Sequence, residues 1–296
     1  MWGLKTSTIS SRTSSRRWRP PVADPPSAER DYVLGTHDAE IERLGLQHEA
    51  WRSTAIESWN RAGIARGWHV LDLGAGPGHA SLDLARAVGP EGSVTAVERS
   101  GRFAQAGRDA ALVYGCGNIH YRELDLMLDP LPEGSFDAAW CRWVCSFLPD
   151  PAPLIEGLSR RLRAGGVAVF HEYVDYASWR YSPHLPLLEE YVAHVMRTWR
   201  DGGGEPDIAM SLPPLLRAAG FSVRSATPHI FCVGPGDDRW RWISTFVESN
   251  CERLLELGTC DTGWVESVRA ELRHAEADQD ALLLTPMVLE VIADLR

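Results

Sequence analysis

The stretch Val70 to Gly78, Val-Leu-Asp-Leu-Gly-Ala-Gly-Pro-Gly, constrains this chain more than any other. A short apolar run breaks into glycines at alternate positions, and apolar periodicity resumes from Ala80, so the pattern predicts strand, glycine turn and helix. Glycines spaced two apart leave almost no Cβ surface, so a ligand can press against the backbone while the first helical amides point at it. A dinucleotide fingerprint would need a third glycine where His79 stands, and here an acid, Asp72, precedes the first glycine by two residues.

Downstream, strands and helices alternate. A helix from about Gly78 stops at Gly89-Pro90, and Ser93–Glu98 reads as a second strand ending in an acid. In a nucleoside-binding α/β fold a carboxylate there accepts hydrogen bonds from ribose hydroxyls; a solvated strand-end glutamate is the alternative. A helix from about Arg102 to Tyr114 leads to a third strand over Asn118–Glu123, followed by Leu124-Asp125-Leu126. Phe136–Cys141 is a fourth, buried strand. Asp150 caps a helix with Pro151 in its first turn, buried through Leu154, Ile155, Leu158 and Leu162 and stopped by Gly165-Gly166; Val167–Tyr173 is a fifth strand. Ligands of open parallel sheets sit beyond the carboxyl ends of the strands, which brings His171, Glu172 and Tyr173 near any reaction. Side chains alternate along a strand, so His171 and Tyr173 share a face and are the candidate proton-handling pair, with ordinary packing as the alternative.

The flanks differ. Residues 1–30 carry Lys5, Arg12, Arg16, Arg17 and Arg19 with no acid before position 20, then Pro20, Pro21, Pro25 and Pro26; this reads as a disordered tail, with a transit peptide as the alternative. Ile41, Leu44, His48, Trp51, Ala55 and Trp59 recur at helical spacing, giving an amphipathic helix within 31–66. A core over 67–235 closes with a strand from Phe221 to Val233, after a short helix capped by Ser211. Met287–Ala293 reads as the final strand, within 284–296, so the helical stretch 236–283 is an insertion. A lid is its natural use, with Trp240, Trp242, Phe246 and Trp264 available to line an apolar pocket.

The ordered set Asp-Leu-Gly-Ala-Gly-Pro-Gly, Glu98, Asp125, Phe-Asp-Ala-Ala-Trp and Leu-Arg-Ala-Gly-Gly resembles the class I S-adenosylmethionine-dependent methyltransferases, over roughly Asp31 to Val233 plus the final strand. Within them it is similar to the ubiquinone/menaquinone-biosynthesis-like small-molecule branch. The resemblance implies a doubly wound, Rossmann-like, seven-stranded sheet, mostly parallel with the last strand antiparallel. It implies S-adenosylmethionine as cofactor, held by Tyr32, Gln47, Asp72, Gly74, Ala75, Gly76, Glu98, Arg99, Asp125, Leu126, Cys141 and Arg142, and no metal. The segment 31–66 resembles the leading helical cap of small-molecule methyltransferases, which implies that Tyr32, Arg43 and Gln47 face the site, with a solvated helix face as the alternative for Arg43. The implied reaction is in-line methyl transfer to the O, N, S or C atom of a small acceptor, as in secondary metabolism. A nicotinamide-dependent oxidoreductase and a non-catalytic cofactor-binding protein are the other readings. Motifs of base methylation, arsenite methylation and metal-dependent catechol methylation are missing from the sequence.

Composition narrows the partners. A formal net charge of −10 gives no broad basic face for a nucleic acid. No apolar run approaches the roughly twenty residues of a membrane-spanning helix. Six cysteines without a C-x-x-C pair read as free thiols of a reducing, cytoplasmic setting.

Overall fold

The computed structural model describes residues 38–296; the 1–30 tail and Tyr32 lie outside that range. In chain order the elements are α1 (Asp38–Ala62), β1 (His69–Leu73), α2 (His79–Val88), β2 (Ser93–Glu98), α3 (Gly101–Val113), β3 (Ile119–Glu123), β4 (Phe136–Arg142), α4 (Ala152–Ser159) and β5 (Leu162–Asp175). There follow β6 (Arg180–Ser182), α5 (Pro186–Asp201), α6 (Leu212–Ala218), β7 (Phe221–His229), β8 (Cys232–Val233), α7 (Asp238–Glu256), α8 (Thr262–Ala277), β9 (Leu282–Leu284) and β10 (Met287–Leu295).

The main sheet has seven strands in the order β3-β2-β1-β4-β5-β10-β7. β1 to β5 pair in parallel, while β10 is antiparallel to both β5 and β7. The order reverses between β1 and β4, and in such sheets the crevice beyond the strand ends at that point is where ligands bind. Strand alternation sorts the side chains into two layers. Val70, Ala138, Trp140 and Val169 pack against Trp59 of α1 and Leu84 of α2, whereas Leu71, Cys141, Phe170 and Val291 pack against Ile155 of α4 and Leu216 of α6. A third core, rich in aromatics, stands beyond the sheet ends and joins Trp51 of α1, Tyr191 of α5, Trp240 and Trp242 of α7 and Leu272 of α8.

Several boundaries differ from the sequence reading. The strand expected from Phe221 to Val233 breaks after His229, because Phe231 turns away to pack on Trp51 at a centroid distance of 5.3 Å. Its tail, β8, joins β6 and β9 in a separate three-stranded sheet. Leu162 opens β5 rather than closing α4, and Ser211 precedes α6 without its side chain capping it. Asp150 does accept the Ala152 N–H at 2.9 Å. Among the described residues no helix is long and apolar enough to cross a membrane.

Close approach matters at Gly107, in the middle of α3, where an added Cβ would fall on the Tyr121 ring. Alanine is intrinsically the better helix former by about 1 kcal/mol, but overpacking typically costs about 1–3 kcal/mol. Gly107→Ala is therefore expected to destabilise the fold, and a urea midpoint equal to or above the wild-type value would show that Tyr121 can move aside.

Candidate functional site

The glycine turn has the shape expected of a cradle. Gly74, Gly76 and Gly78 sit at φ of 66°, 56° and 86°, a region that side chains other than glycine rarely adopt. A Cβ on Gly74 would strike Val144, whereas one on Gly76 would meet nothing within 4 Å, so the turn is tight on one side and open on the other. Glu98 braces it from β2: its carboxylate accepts the Gly76 N–H and the Ser100 N–H, each at 2.9 Å. Burial raises the Glu98 pKa, and these amides oppose the rise. Asp72 is fully buried in β1 and accepts the Ser81 hydroxyl at 2.5 Å, tying the strand to the start of α2. Burial pushes its pKa up to about 6.

Two cavities meet at Gly74, Glu98 and Trp143. The smaller, about 100 Å³, lies between the turn and α1, with Gln47, His48, Asp72, Gly76, His79 and Arg142 among its walls. The larger, about 640 Å³, begins at Arg99, Asp125 and Leu126 and runs out under α5 and α7, where Val195, Trp199, Phe246 and Leu254 line it. Asp125 accepts the Met127 N–H at 2.9 Å, which shapes the loop after β3.

Arg142, at the end of β4, is the electrostatic centre of the smaller cavity. One amino group, Nη2, donates to His48 Nδ1 at 3.0 Å; the other, Nη1, is buried without a hydrogen-bond partner among the described residues. Its guanidinium lies 5.0 Å from the Trp143 ring centroid and 5.7 Å from that of Trp140. Burial lowers its pKa to about 10, so it stays charged at neutrality. His48 is set in turn by Asp83 of α2, 3.1 Å from Nε2. Burial depresses the His48 pKa to about 4, so the ring is neutral, with Nε2–H donating to Asp83 and Nδ1 accepting from Arg142. Asp83 also receives Arg52 at 2.5 and 2.9 Å and Arg86 at 2.9 Å. A buried guanidinium with an orphan N–H is costly unless an anion meets it.

Trp143 follows at φ 53°, the one residue other than glycine with positive φ among the described residues. It stacks on Tyr173 and Trp242 at 5.5 and 5.7 Å. The exit of β4 is fixed by Glu172, whose carboxylate accepts the N–H groups of Val144 and Cys145, both at 2.8 Å; burial raises its pKa to about 7.

Some expected site residues are elsewhere. His171 is fully buried and lines neither cavity. Its register opposite Glu290 of β10 turns it under α1, where Nε2 lies 2.8 Å from the Ser58 hydroxyl and 3.5 Å from Glu290. Burial lowers its pKa to about 4. It is a core residue in an ionic knot with Ser58, Arg61, His229 and Glu290, and its candidacy as a base is withdrawn. Tyr173 shares that face but is packed between Trp143 and Tyr176, outside both cavity linings. The Cys141 side chain points into the opposite layer, 4.0 Å from Cys145 Sγ. Of the insertion aromatics only Phe246 reaches the larger cavity; Trp240 and Trp242 are buried in the third core, and Trp264 packs on Tyr191. Gln47 faces the smaller cavity and accepts N–H groups from Arg43 and Trp242, both at 3.1 Å. His48 escaped sequence reasoning because it stands in the apolar stripe of α1, and its only signal was its place beside Gln47.

A cradle open at Gly76, a bracing carboxylate beside it and an orphan cation one strand away fit the uncharged ribose and the anionic end of an aminocarboxypropyl arm. Sheet order, motif order and sequence similarity together support a class I S-adenosylmethionine-dependent methyltransferase, with S-adenosylmethionine as cofactor. The family model described as Methyltransferase domain matches residues 70–166. The ubiquinone/menaquinone biosynthesis C-methyltransferase UbiE of Hahella chejuensis is 27% identical over 57% of this chain and 71% of its own length. The demethylmenaquinone methyltransferase of Lactococcus lactis is 27% identical over 59% of this chain and 73% of its own. Other curated relatives are matched over about half of their length. Among solved structures, the geranyl diphosphate C-methyltransferase of Streptomyces coelicolor superposes with a TM-score of 0.53 at 15% identity, covering 83% of this chain and 76% of that one, which is a likeness of fold.

Proposed function

We propose that this enzyme methylates a bulky, mainly apolar small molecule seated in the larger cavity. One observation carries the reading: beyond its Arg99–Asp125–Leu126 end, which the adenine takes, the larger cavity continues under α5 and α7 between the mainly apolar Val195, Trp199, Phe246 and Leu254. A nicotinamide enzyme would need the third glycine that His79 replaces, and a merely cofactor-binding protein would have no use for the space under α5 and α7 beyond the adenine. The quinone-pathway names of the sequence relatives agree with an apolar acceptor. The free cysteines accord with a cytoplasmic enzyme, and a place in secondary metabolism belongs to the same reading.

When bound, S-adenosylmethionine supplies a methyl carbon already activated by its sulfonium. In this reading Glu98 accepts the ribose hydroxyls, Arg99, Asp125 and Leu126 border the adenine, and Arg142 meets the carboxylate of the amino-acid arm, with Gln47 and Asp72 close by. Residues 236–283 serve as the outer wall of the acceptor cavity, since α7 supplies Phe246, Asn250 and Leu254 to it. No histidine lines that cavity among the described residues. Alignment of the acceptor with the methyl carbon carries the rate, for which orientation alone is worth about 7–11 kcal/mol.

The test is calorimetry with S-adenosylhomocysteine, then transfer of labelled methyl groups to a panel of apolar phenols, quinols and amines. Failure to bind the homocysteine product would remove the reading. Glu98→Ala is expected to weaken that binding by about 1.5–3 kcal/mol, roughly ten- to a hundredfold, as for a hydrogen bond to a charged group. An unchanged dissociation constant would end the ribose assignment.

A further inference from the structure

The α7 wall of the larger cavity is formed by the apolar Phe246 and Leu254 and the polar Asn250 and Arg253. Phe246, Asn250, Leu254 and Leu257 follow one another at helical spacing on its inner face. Asn250 is 7% exposed. Its Oδ1 accepts the hydroxyl of Tyr191, a fully buried residue of α5, at 3.0 Å. The hydroxyl is the donor in this bond and the amide oxygen the acceptor. The Nδ2 group is thereby turned away from Tyr191, and it has no hydrogen-bond partner among the described residues. Asn250 lines the cavity, and its Nδ2 is not sealed from it, so a ligand oxygen can take these N–H groups.

We infer that Asn250 is a specificity-determining residue that donates a hydrogen bond to an oxygen of the methyl acceptor. The acceptor class is then a large apolar molecule bearing a carbonyl, enolate or phenolate oxygen. A plain hydrocarbon, or an ammonium offering only donors, leaves Nδ2 unmet. Tyr191 acts through Asn250 as a positioning residue, because its hydroxyl decides which end of the amide faces the cavity. The inference rests on the methyltransferase reading and names the substrate chemistry of that same site.

The experiment uses the full chain saturated with S-adenosylhomocysteine and two isosteric probes, 1-tetralone and tetralin, whose binding is followed by tryptophan fluorescence. Wild type is expected to prefer the ketone by about five- to tenfold, the usual net worth of a neutral hydrogen bond. Asn250→Ala and Asn250→Ser should change S-adenosylhomocysteine binding little, which shows that they fold; the alanine variant should lose the preference. Asn250→Asp, with only acceptors to offer, should disfavour the ketone. Tyr191→Phe should reduce the preference without moving cofactor affinity. A wild type that binds neither probe or both equally, or an Asn250→Ala variant that keeps the preference, overturns the proposal. Absence of S-adenosylhomocysteine binding by wild type would instead strike the methyltransferase reading itself.

Discussion

Replacing Arg142 with alanine is expected to weaken S-adenosylhomocysteine binding by about 2–5 kcal/mol, the usual loss when one partner of a buried hydrogen-bonded charge pair is removed, or roughly thirtyfold to several thousandfold. The expectation comes from an orphan Nη1 inside the smaller cavity and from the chain Asp83–His48–Arg142 that holds the guanidinium in place. Coulombic attraction grows in a site closed to water, so the pair is worth more here than on a surface. The discriminating ligand is the decarboxylated analogue of S-adenosylhomocysteine. Wild type should bind it far more weakly than the parent, and Arg142→Ala should bind the two alike. Equal losses for both ligands would mean that the substitution deforms the cavity and that the carboxylate is read elsewhere. Arg142→Lys is expected to recover only part of the difference, because an ammonium cannot keep both the His48 contact and a forked contact to a carboxylate.

Glu290→Ala is expected to cost about 3–5 kcal/mol of stability, the range for breaking a buried ion pair by removing one member. Glu290 is fully buried in β10 and receives the Ser58 hydroxyl and Arg61, the latter at 2.5 Å from Nη2. The low end of the range is favoured because Arg61 is half exposed and can turn to water. Burial by itself would raise the Glu290 pKa, but His171, His229, Arg61 and Ser58 together outweigh it and hold the pKa well below the ordinary value. For a carboxylate so depressed, the stabilisation is full above the unfolded value near 4.3 and is lost as pH falls through the folded value. His171 adds in the same direction: with its folded pKa near 4 and an unfolded value near 6.5, the unfolded chain binds the extra proton between them, so stability falls as pH drops across that window. Urea midpoints at pH 7 and pH 3.5 check both parts. The gap between wild type and variant should be wide at the first and narrower at the second. A deficit under about 1 kcal/mol at pH 7 would mean that the knot contributes little.

The parallel half of the sheet was legible because each of its strands is a short apolar run punctuated by glycine or by an acid at a predictable offset. The glycine turn after β1 and the position of Glu98 at the end of β2 could be placed from spacing alone. His171 could not. Strand alternation puts it on a face with Tyr173, but only the pairing with β10 and the path of α1 decide that this face is covered at His171. The break after His229 was equally hidden, since Phe231 leaves the strand for a tertiary contact with Trp51. Trp240 and Trp242 read as pocket-lining aromatics because a helical stripe reports which side is apolar, not what it packs against. Strand order put Glu172 near the reactive end of the sheet, but nothing in the sequence showed that it holds the backbone amides at the exit of β4.

The antiparallel β10 also sets an order of events during synthesis. β7 is made before α7, α8 and β10, yet its partner in the main sheet is β10, which lies between it and β5. A nascent chain that has reached only α8 therefore holds β5 with an unpaired edge and β7 with no partner in the main sheet. The edge of β5 is apolar through Phe170 and Val169, the kind of strand that pairs with whatever extended segment is offered. Insertion of β10 closes both edges at once and buries Glu290 in the same step. Pairing across so long a separation is slow by topology, which makes this interval the one in which the polypeptide is most exposed to aggregation and most in need of a chaperone.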